Sequence, residues 1–151
     1  RVTRGGVVEA HLVLGVLPLV RELLRNGWEV ILTANSEPSL NDITHRELLG
    51  LVTRASAIDH GWDVPELRLV ASGNAAPLID LLHVSPELAD ASIGAELVVL
   101  VGMGRGVESN FSARFTCRNW SVAMIKDPQV ARTVGGRMYD AMFKQSSPVT
   151  A

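Results

Sequence analysis

The sequence has a single cysteine, no surplus of basic residues and no long apolar run, and each of these absences excludes a class of protein. One cysteine, Cys117, excludes an internal disulfide framework and a cysteine-based zinc site, and it suits a reducing compartment. A formal net charge of −2 gives no basic surplus for nucleic acid or an anionic membrane. The longest apolar run, residues 12–20, is shorter than the roughly 20 residues that a membrane-spanning helix needs.

The start of the chain lacks the marks of a secretory signal. Arg1 and Arg4 precede the apolar run, but Arg21 and Glu22 follow it at once and no small-residue cleavage site is present. We therefore expect a cytoplasmic location. The sequence does not begin with methionine, so we expect it to be a piece of a longer chain.

The residues that are present suffice for one globular domain. Of 151 residues, 47% are hydrophobic and 20% are charged, which excludes a disordered chain and allows a sizeable core. We assign residues 12–145 to one α/β domain. Residues 1–11 form an N-terminal segment without assignment, and residues 146–151 are expected to be a loose tail.

Short apolar runs alternate with amphipathic stretches along the chain. The amphipathic stretches predict helices, the first of them kinked at Pro18 and the second opened by Thr44 and Glu47, which have the spacing of a capping box. This alternation predicts a three-layer α/β/α domain with a mainly parallel, Rossmann-like sheet. The predicted strands are residues 30–32, 67–71, 97–101 and 122–125, with an edge strand at 138–144 and a strand end at Val7 and Val8.

A glycine-rich loop follows the most apolar of these runs. Residues 97–101 are apolar without alternation, which is typical of a strand buried on both faces. The loop 102–106 that follows reads Gly102, Met103, Gly104, Arg105, Gly106. Glycines allow a tight turn that directs several backbone N–H groups to one point, and an arginine adds a planar cationic fork. This loop is therefore predicted to bind an anion, with phosphate as the first candidate.

Polar residues also follow the other predicted strands. Because the carboxyl ends of parallel strands share one edge of the sheet, these side chains are expected to meet there and form a site. They are Asn35, Asn41 and Asp42 after the first strand, Ser72 and Asn74 after the second, Arg105 and Asn110 after the third, and Lys126 after the fourth.

Plainer interpretations of these residues stay open. Arg105 in a tight turn is often solvated, Lys126 can simply end a strand, and Ser72 and Asn74 are ordinary turn residues. A dinucleotide-binding fingerprint is weak, because Val107 occupies the position of its third glycine. The four histidines have no metal-ligand spacing and are expected at the surface: His11, His45, His60 and His83.

Several motifs together resemble one family of enzymes. The loop 102–105 with Asn110 resembles the Glu-Gly-Met-Gly-Arg signature of the damage-control phosphatases, which also end pantothenate-kinase-like proteins and stand alone in plants. Further matches occur in the same order at residues 14–18 with 21–24, at 34–36 with 41–42, and at 135–137 with 143–144. The likeness covers nearly the whole chain from Leu12 onward and corresponds to the C-terminal half of that family's domain, without its helical N-terminal part.

This resemblance implies a metal-dependent phosphatase. It implies hydrolysis of small phosphomonoesters, such as phosphopantetheine or damaged phosphometabolites, with manganese, cobalt or magnesium as the cofactor. Asp42 matches a metal ligand of the family, and Asn41 is a further candidate ligand. Asp42, Arg105 and Lys126 are then the candidate catalytic residues, and the partner is a small phosphorylated metabolite. The other candidate partners are an upstream domain and a second copy of the chain.

The chain departs from the family pattern at four positions. The family's Asp-Asn pair of metal ligands falls on Gly6 and Val7, a further Asp falls on His11, and the acidic first residue of the glycine signature is Val101. Each change removes a polar or acidic group from one site. The alternatives are therefore a relative that binds phosphorylated ligands without catalysis, or an incomplete fragment. As a turn or N-cap residue, Asp42 would need no metal.

Overall fold

The computed structural model describes residues 2–4, 12–40, 42–76 and 78–149. Six strands and four α-helices alternate along these ranges, with two π-helical segments, Leu12–Val16 directly ahead of the first α-helix and Gly104–Glu108 after the fourth strand. The strands are β1 (Val2–Arg4), β2 (Val30–Ala34), β3 (Leu67–Ala71), β4 (Leu97–Val101), β5 (Arg118–Met124) and β6 (Ala141–Ser146). The α-helices are α1 (Leu17–Arg25), α2 (His45–Ile58), α3 (Pro86–Ser92) and α4 (Pro128–Val134).

The strands form one sheet in the order β3-β2-β1-β4-β5-β6. The first five are parallel, and β6 pairs antiparallel with β5 at the edge. Val2 of β1 is in register with Val30 on one side and Leu97 on the other, so β1 is a central strand. The chain order reverses direction between β1 and β4, the position at which open α/β sheets bind ligands. The predicted Rossmann-like fold is confirmed.

The largest hydrophobic cluster lies between the sheet and helices α1 and α2. All five residues of β2 are buried, and Leu32 packs with Val20 of α1 and Leu48 of α2. The preceding residue of the strand, Ile31, points to the opposite face and packs with Leu88 of α3. Each fully buried aliphatic side chain contributes about 1.5–3 kcal/mol, so β2 is fixed from both faces. A strand held in this way sets the position of the polar residues that follow it.

The predicted capping box of α2 is confirmed, and the other helices have similar end signals. The Thr44 hydroxyl accepts from the Glu47 N–H and the Glu47 carboxylate accepts from the Thr44 N–H, which is the predicted capping box. Ser85 and Asp127 accept backbone N–H bonds at the starts of α3 and α4. Gly135 closes α4 in the left-handed conformation. No helix within the described ranges is long and apolar enough to span a membrane.

Several predicted boundaries were wrong. Pro18 does not kink a longer helix: it lies in the first turn of α1, where its missing N–H is harmless. The last two strands also differ, because β5 begins at Arg118 and β6 runs from Ala141 to Ser146. The expected loose tail is anchored in part, since the Val149 N–H donates to the Phe115 carbonyl. The strand end expected at residues 7–8 lies outside the described residues.

A bidentate ion pair joins α1 to the end of α2 and makes stability dependent on pH. Arg21 donates to both carboxylate oxygens of Asp59, at 2.9 and 3.1 Å, and the Gly61 N–H donates to the same carboxylate. The Gly61 bond and Arg21 hold the pKa of Asp59 below its ordinary value. This contribution is present above the unfolded-state pKa, about 4, and is lost as the pH falls through the lower folded-state pKa.

We therefore expect Asp59→Asn to be less stable than wild type at pH 6, with the difference shrinking as the pH falls from about 4 through the lower folded-state pKa. Urea unfolding of both proteins across this range measures the difference. A difference that stays constant over the whole range would contradict the role given to the carboxylate.

Candidate functional site

Three polar residues from two strand ends meet at the carboxyl edge of the sheet: Asn35 and Asp42 follow β2, and Arg105 follows β4. Arg105, after β4, donates from Nη2 to Oδ2 of Asp42 at 2.7 Å and to Oδ1 of Asn35 at 3.0 Å. Arg105 is only 4% exposed and Asn35 only 2%. The predicted convergence of Asp42 and Arg105 is therefore confirmed, and the expectation of a solvated arginine is wrong.

The local sequence explains how an arginine comes to be buried here. Gly102 leaves β4 with φ +109°, a conformation that favours glycine, and the chain then forms a π-helical turn, Gly104–Glu108. The buried side chain of Asn110 donates to the carbonyls of Arg105 and Ile79, both at 3.0 Å. Asn110 therefore positions the loop, whereas its predicted contact with phosphate stays a prediction.

The helical turn leaves fewer backbone N–H groups for a phosphate than the predicted open loop would offer. The Gly102 N–H donates to the Val122 carbonyl and the Gly106 N–H to the Gly102 carbonyl, both at 2.9 Å. These two amides are used by the fold and cannot also bind a ligand. Residues 103 and 104 begin the turn, so their N–H groups have the orientation in which a helix start offers N–H groups to an anion.

Lys126 lies beside this turn, at the end of β5. Its backbone N–H contacts the Met103 sulfur at 3.2 Å. The side chain of Lys126 is exposed, and no acidic residue within the described ranges forms an ion pair with it. Its ammonium group therefore remains available near the first turn of the loop.

Ser72 and Asn74, after β3, have distinct roles. The buried Ser72 hydroxyl bonds to the Asn74 carbonyl at 3.3 Å, which is the turn role left open from the sequence. The side-chain oxygen of Asn74 accepts from the Ala76 N–H, so its Nδ2 points elsewhere. That Nδ2 is buried and has no hydrogen-bond partner among the described residues, and the same holds for Nδ2 of Asn35. Two amide donors thus lie unpaired at the ends of neighbouring strands.

Gly73 allows this turn to approach the start of α3. It has φ +92°, and a Cβ at this position would overlap the backbone nitrogen of Ser85. We expect Gly73→Ala to lower the free energy of unfolding by at least about 2 kcal/mol, through strain and overlap. The matched control is Gly50→Ala in α2, which has room for a Cβ and should gain up to about 1 kcal/mol. Equal effects of the two substitutions in urea unfolding would contradict this explanation.

His45 was misjudged from the sequence. It opens α2, its N–H donates to the Asn35 carbonyl at 2.7 Å, and its side chain is half-buried instead of exposed. Its Nε2 atom is buried without a partner in the described part of the chain. The sequence did carry a signal for this burial: His45 directly follows the capping residue Thr44, at the helix start that is bonded to the end of β2.

The described side chains do not fit a divalent metal. Within the described ranges no three His, Cys, Asp or Glu side chains lie close enough to hold one ion. Asp42 is already paired with a guanidinium, which competes with a metal for the same carboxylate oxygens. Asn41, Gly6, Val7 and His11 lie outside the described residues, and neither glycine nor valine has a side-chain ligand.

Comparison with known proteins places these residues in a family context. The sequence model of the damage-control phosphatase ARMT1-like domain matches residues 10–142. The damage-control phosphatase At2g17340 of Arabidopsis thaliana is 46% identical over 138 residues, which cover 89% of this chain and 38% of that protein. The 4'-phosphopantetheine phosphatase of Mus musculus is 30% identical, over 91% of this chain and 23% of that protein. The chain thus spans less than two fifths of either relative.

A solved structure supports the fold. A DUF89 family protein from Pyrococcus horikoshii superposes with a TM-score of 0.71 at 18% sequence identity. The match covers 93% of this chain and 45% of the other. At this identity the likeness establishes the α/β architecture alone.

Proposed function

Because this chain belongs to the damage-control phosphatase ARMT1-like family, we propose that it binds small phosphomonoesters at the carboxyl edge of its sheet and contributes to their hydrolysis. The proposed substrates are of the phosphopantetheine type, as the name of the mouse relative suggests. The observation that carries the proposal is the buried cluster of Arg105, Asp42 and Asn35 at this edge, with further polar donors at the ends of β3 and β5.

The donors suit a phosphate group. Nδ2 of Asn35 and of Asn74 are N–H donors without a partner in the described ranges, and the turn offers the backbone N–H groups of residues 103 and 104. Lys126 adds a positive charge on the solvent side. Fixed donors of this kind stabilise charge on phosphoryl oxygens in both the bound ester and the transition state, because they need no rearrangement as charge builds.

Arg105 has a positioning role in this proposal. Its guanidinium binds Asn35 through Oδ1, so the Nδ2 group of that side chain is turned away from the arginine. The same guanidinium neutralises Asp42, whose negative charge would otherwise repel a phosphate. The buried pair therefore keeps the neighbourhood of the donors electrostatically suited to an anion.

A divalent metal, manganese, cobalt or magnesium, stays a proposal for the complete domain. Asp42 would be its one carboxylate ligand among the described residues, so we assign no step of hydrolysis to a metal. The pairing of Asp42 with Arg105 also favours a second candidate function, the binding of phosphorylated ligands without turnover. Both candidates share the same phosphate-binding residues.

Two measurements on the purified chain test these functions. Isothermal titration with inorganic phosphate measures binding in wild type, in Lys126→Gln and in the control Arg132→Gln, which removes an exposed charge from α4. We expect affinity to fall severalfold in Lys126→Gln alone. Hydrolysis of 4-nitrophenyl phosphate with and without MnCl2, in wild type and Asp42→Ala, separates the candidates. Binding with turnover supports the phosphatase and binding without turnover the second function, whereas no phosphate binding overturns both.

A further inference from the structure

A cavity of about 480 Å³ lies on the sheet face opposite α1 and α2. It is enclosed by α3, by β4 and by the segment of residues 115–117 that precedes β5. Its volume is within the range of about 300–1,000 Å³ that is usual for small-molecule sites. None of the residues proposed to bind phosphate lines it, so it is a separate compartment from the anion site.

The wall of this cavity is mainly apolar. Leu88 of α3, Val98 and Leu100 of β4, and Phe115 supply most of its surface. Cys117 also lines it, and burial raises the pKa of this thiol. One polar atom is notable: Oγ1 of Thr33 is buried and has no hydrogen-bond partner among the described residues. An occupant of this cavity would be mostly apolar, with room for one hydrogen-bonding group.

The cavity adjoins the proposed phosphate site at two points. Thr33 and Asn35 are alternate residues of one extended segment, so they point to the same side and lie about 7 Å apart. Ile79 lines the cavity, and its carbonyl accepts from the Asn110 side chain that holds the Arg105 loop. A molecule bound by its phosphate near Asn35 can therefore continue into the cavity.

We propose that this cavity binds the mainly apolar arm of a phosphomonoester whose phosphate is held at the neighbouring strand ends. This inference rests on the proposed function and adds the shape of the substrate to it. The arm runs beneath α3 along β4, and Thr33 offers a hydrogen bond to a polar group near its phosphate end.

The test compares n-octyl phosphate with ethyl phosphate by isothermal titration, below the micelle concentration of the longer ester. Both esters carry the same phosphate, so a difference in Kd measures the arm. Each buried methylene favours binding, and we expect octyl phosphate to bind at least tenfold more tightly than ethyl phosphate.

Substitutions that fill the cavity test whether the arm binds there. Val98→Phe fills the cavity and should remove the tenfold advantage while ethyl phosphate still binds. Ser92→Phe, at the end of α3, fills the same cavity from the other wall and serves if Val98→Phe does not fold. The control is Val13→Phe, an exposed position in the helical segment on the opposite face of the sheet, which should keep the advantage.

Each outcome decides the matter. Loss of the advantage in the filled variants alone supports the proposal. Equal affinity for the two esters overturns it but leaves the phosphate site standing, as does an advantage that survives both fillings. If neither ester binds, the proposed function fails as well. If octyl phosphate binds tightly but an excess of inorganic phosphate does not displace it, the arm and the phosphate are not bound together, which also overturns the proposal.

Discussion

Replacement of Arg105 by methionine is expected to lower the free energy of unfolding by about 3 to 5 kcal/mol and to weaken phosphate binding at least tenfold. The guanidinium is almost fully buried and contacts Asp42 and Asn35, so its removal leaves a carboxylate and an amide oxygen without their donor. Methionine keeps most of the side-chain volume, which limits any loss from packing. Urea unfolding and phosphate titration measure the two effects.

A double-mutant cycle separates the pair from other effects. Asp42→Asn with Arg105→Met should be destabilised by less than the sum of the single variants, with a coupling energy of about 1–3 kcal/mol. Arg118→Met, on the exposed face of β5, is the matched control and should change stability by no more than about 0.5 kcal/mol. If Arg105→Met resembled this control, the buried pair would not organise the site.

Introduction of the family's Asp-Asn pair, as Gly6→Asp with Val7→Asn, is expected to raise manganese-dependent hydrolysis of 4-nitrophenyl phosphate about a hundredfold or more. The resemblance places these ligands at positions that now have no side-chain oxygen. If the resemblance holds, these two side chains would join Asp42 as oxygen ligands of a divalent ion, which would supply Lewis-acid chemistry at the phosphoryl group. Initial rates with and without MnCl2 measure the gain.

The neighbouring pair of residues supplies the control. Gly5→Asp with Val8→Asn adds the same groups one position to either side and should give no gain. Asp42→Asn in the restored background should abolish the metal-dependent rate. If the control variant were as active as the restored one, the added Asp and Asn would not need to stand at positions 6 and 7. The alignment of these positions with the family's metal ligands would then be wrong.

The sequence predicted the sheet and its polar edge because both depend on local patterns. Apolar runs mark β2, β3 and β4, and in a parallel sheet the residues after such runs must share one edge. For this reason the meeting of Asp42 and Arg105 was predictable across 63 residues of chain. The capping residues of the helices were also readable, since each acts within one turn.

What the sequence did not reveal depends on contacts between distant elements. β1 reads Val-Thr-Arg, without an apolar run, yet it is central because β2 and β4 supply backbone partners on both sides. The burial of Arg105 depends on Asn35 and Asp42, which come from another loop. The glycines suggested an open loop, whereas only Gly102 among residues 102–106 has a positive φ and the rest begin a helical turn.

The central place of β1 also governs how the sheet can assemble during synthesis. In the described ranges β1 alone connects the β3-β2 half of the sheet to the β4-β5-β6 half. Its partner β4 leaves the ribosome about 95 residues later, so one edge of β1 waits unpaired while the intervening helices form. The two halves of the sheet can therefore close on β1 only after β4 has been made.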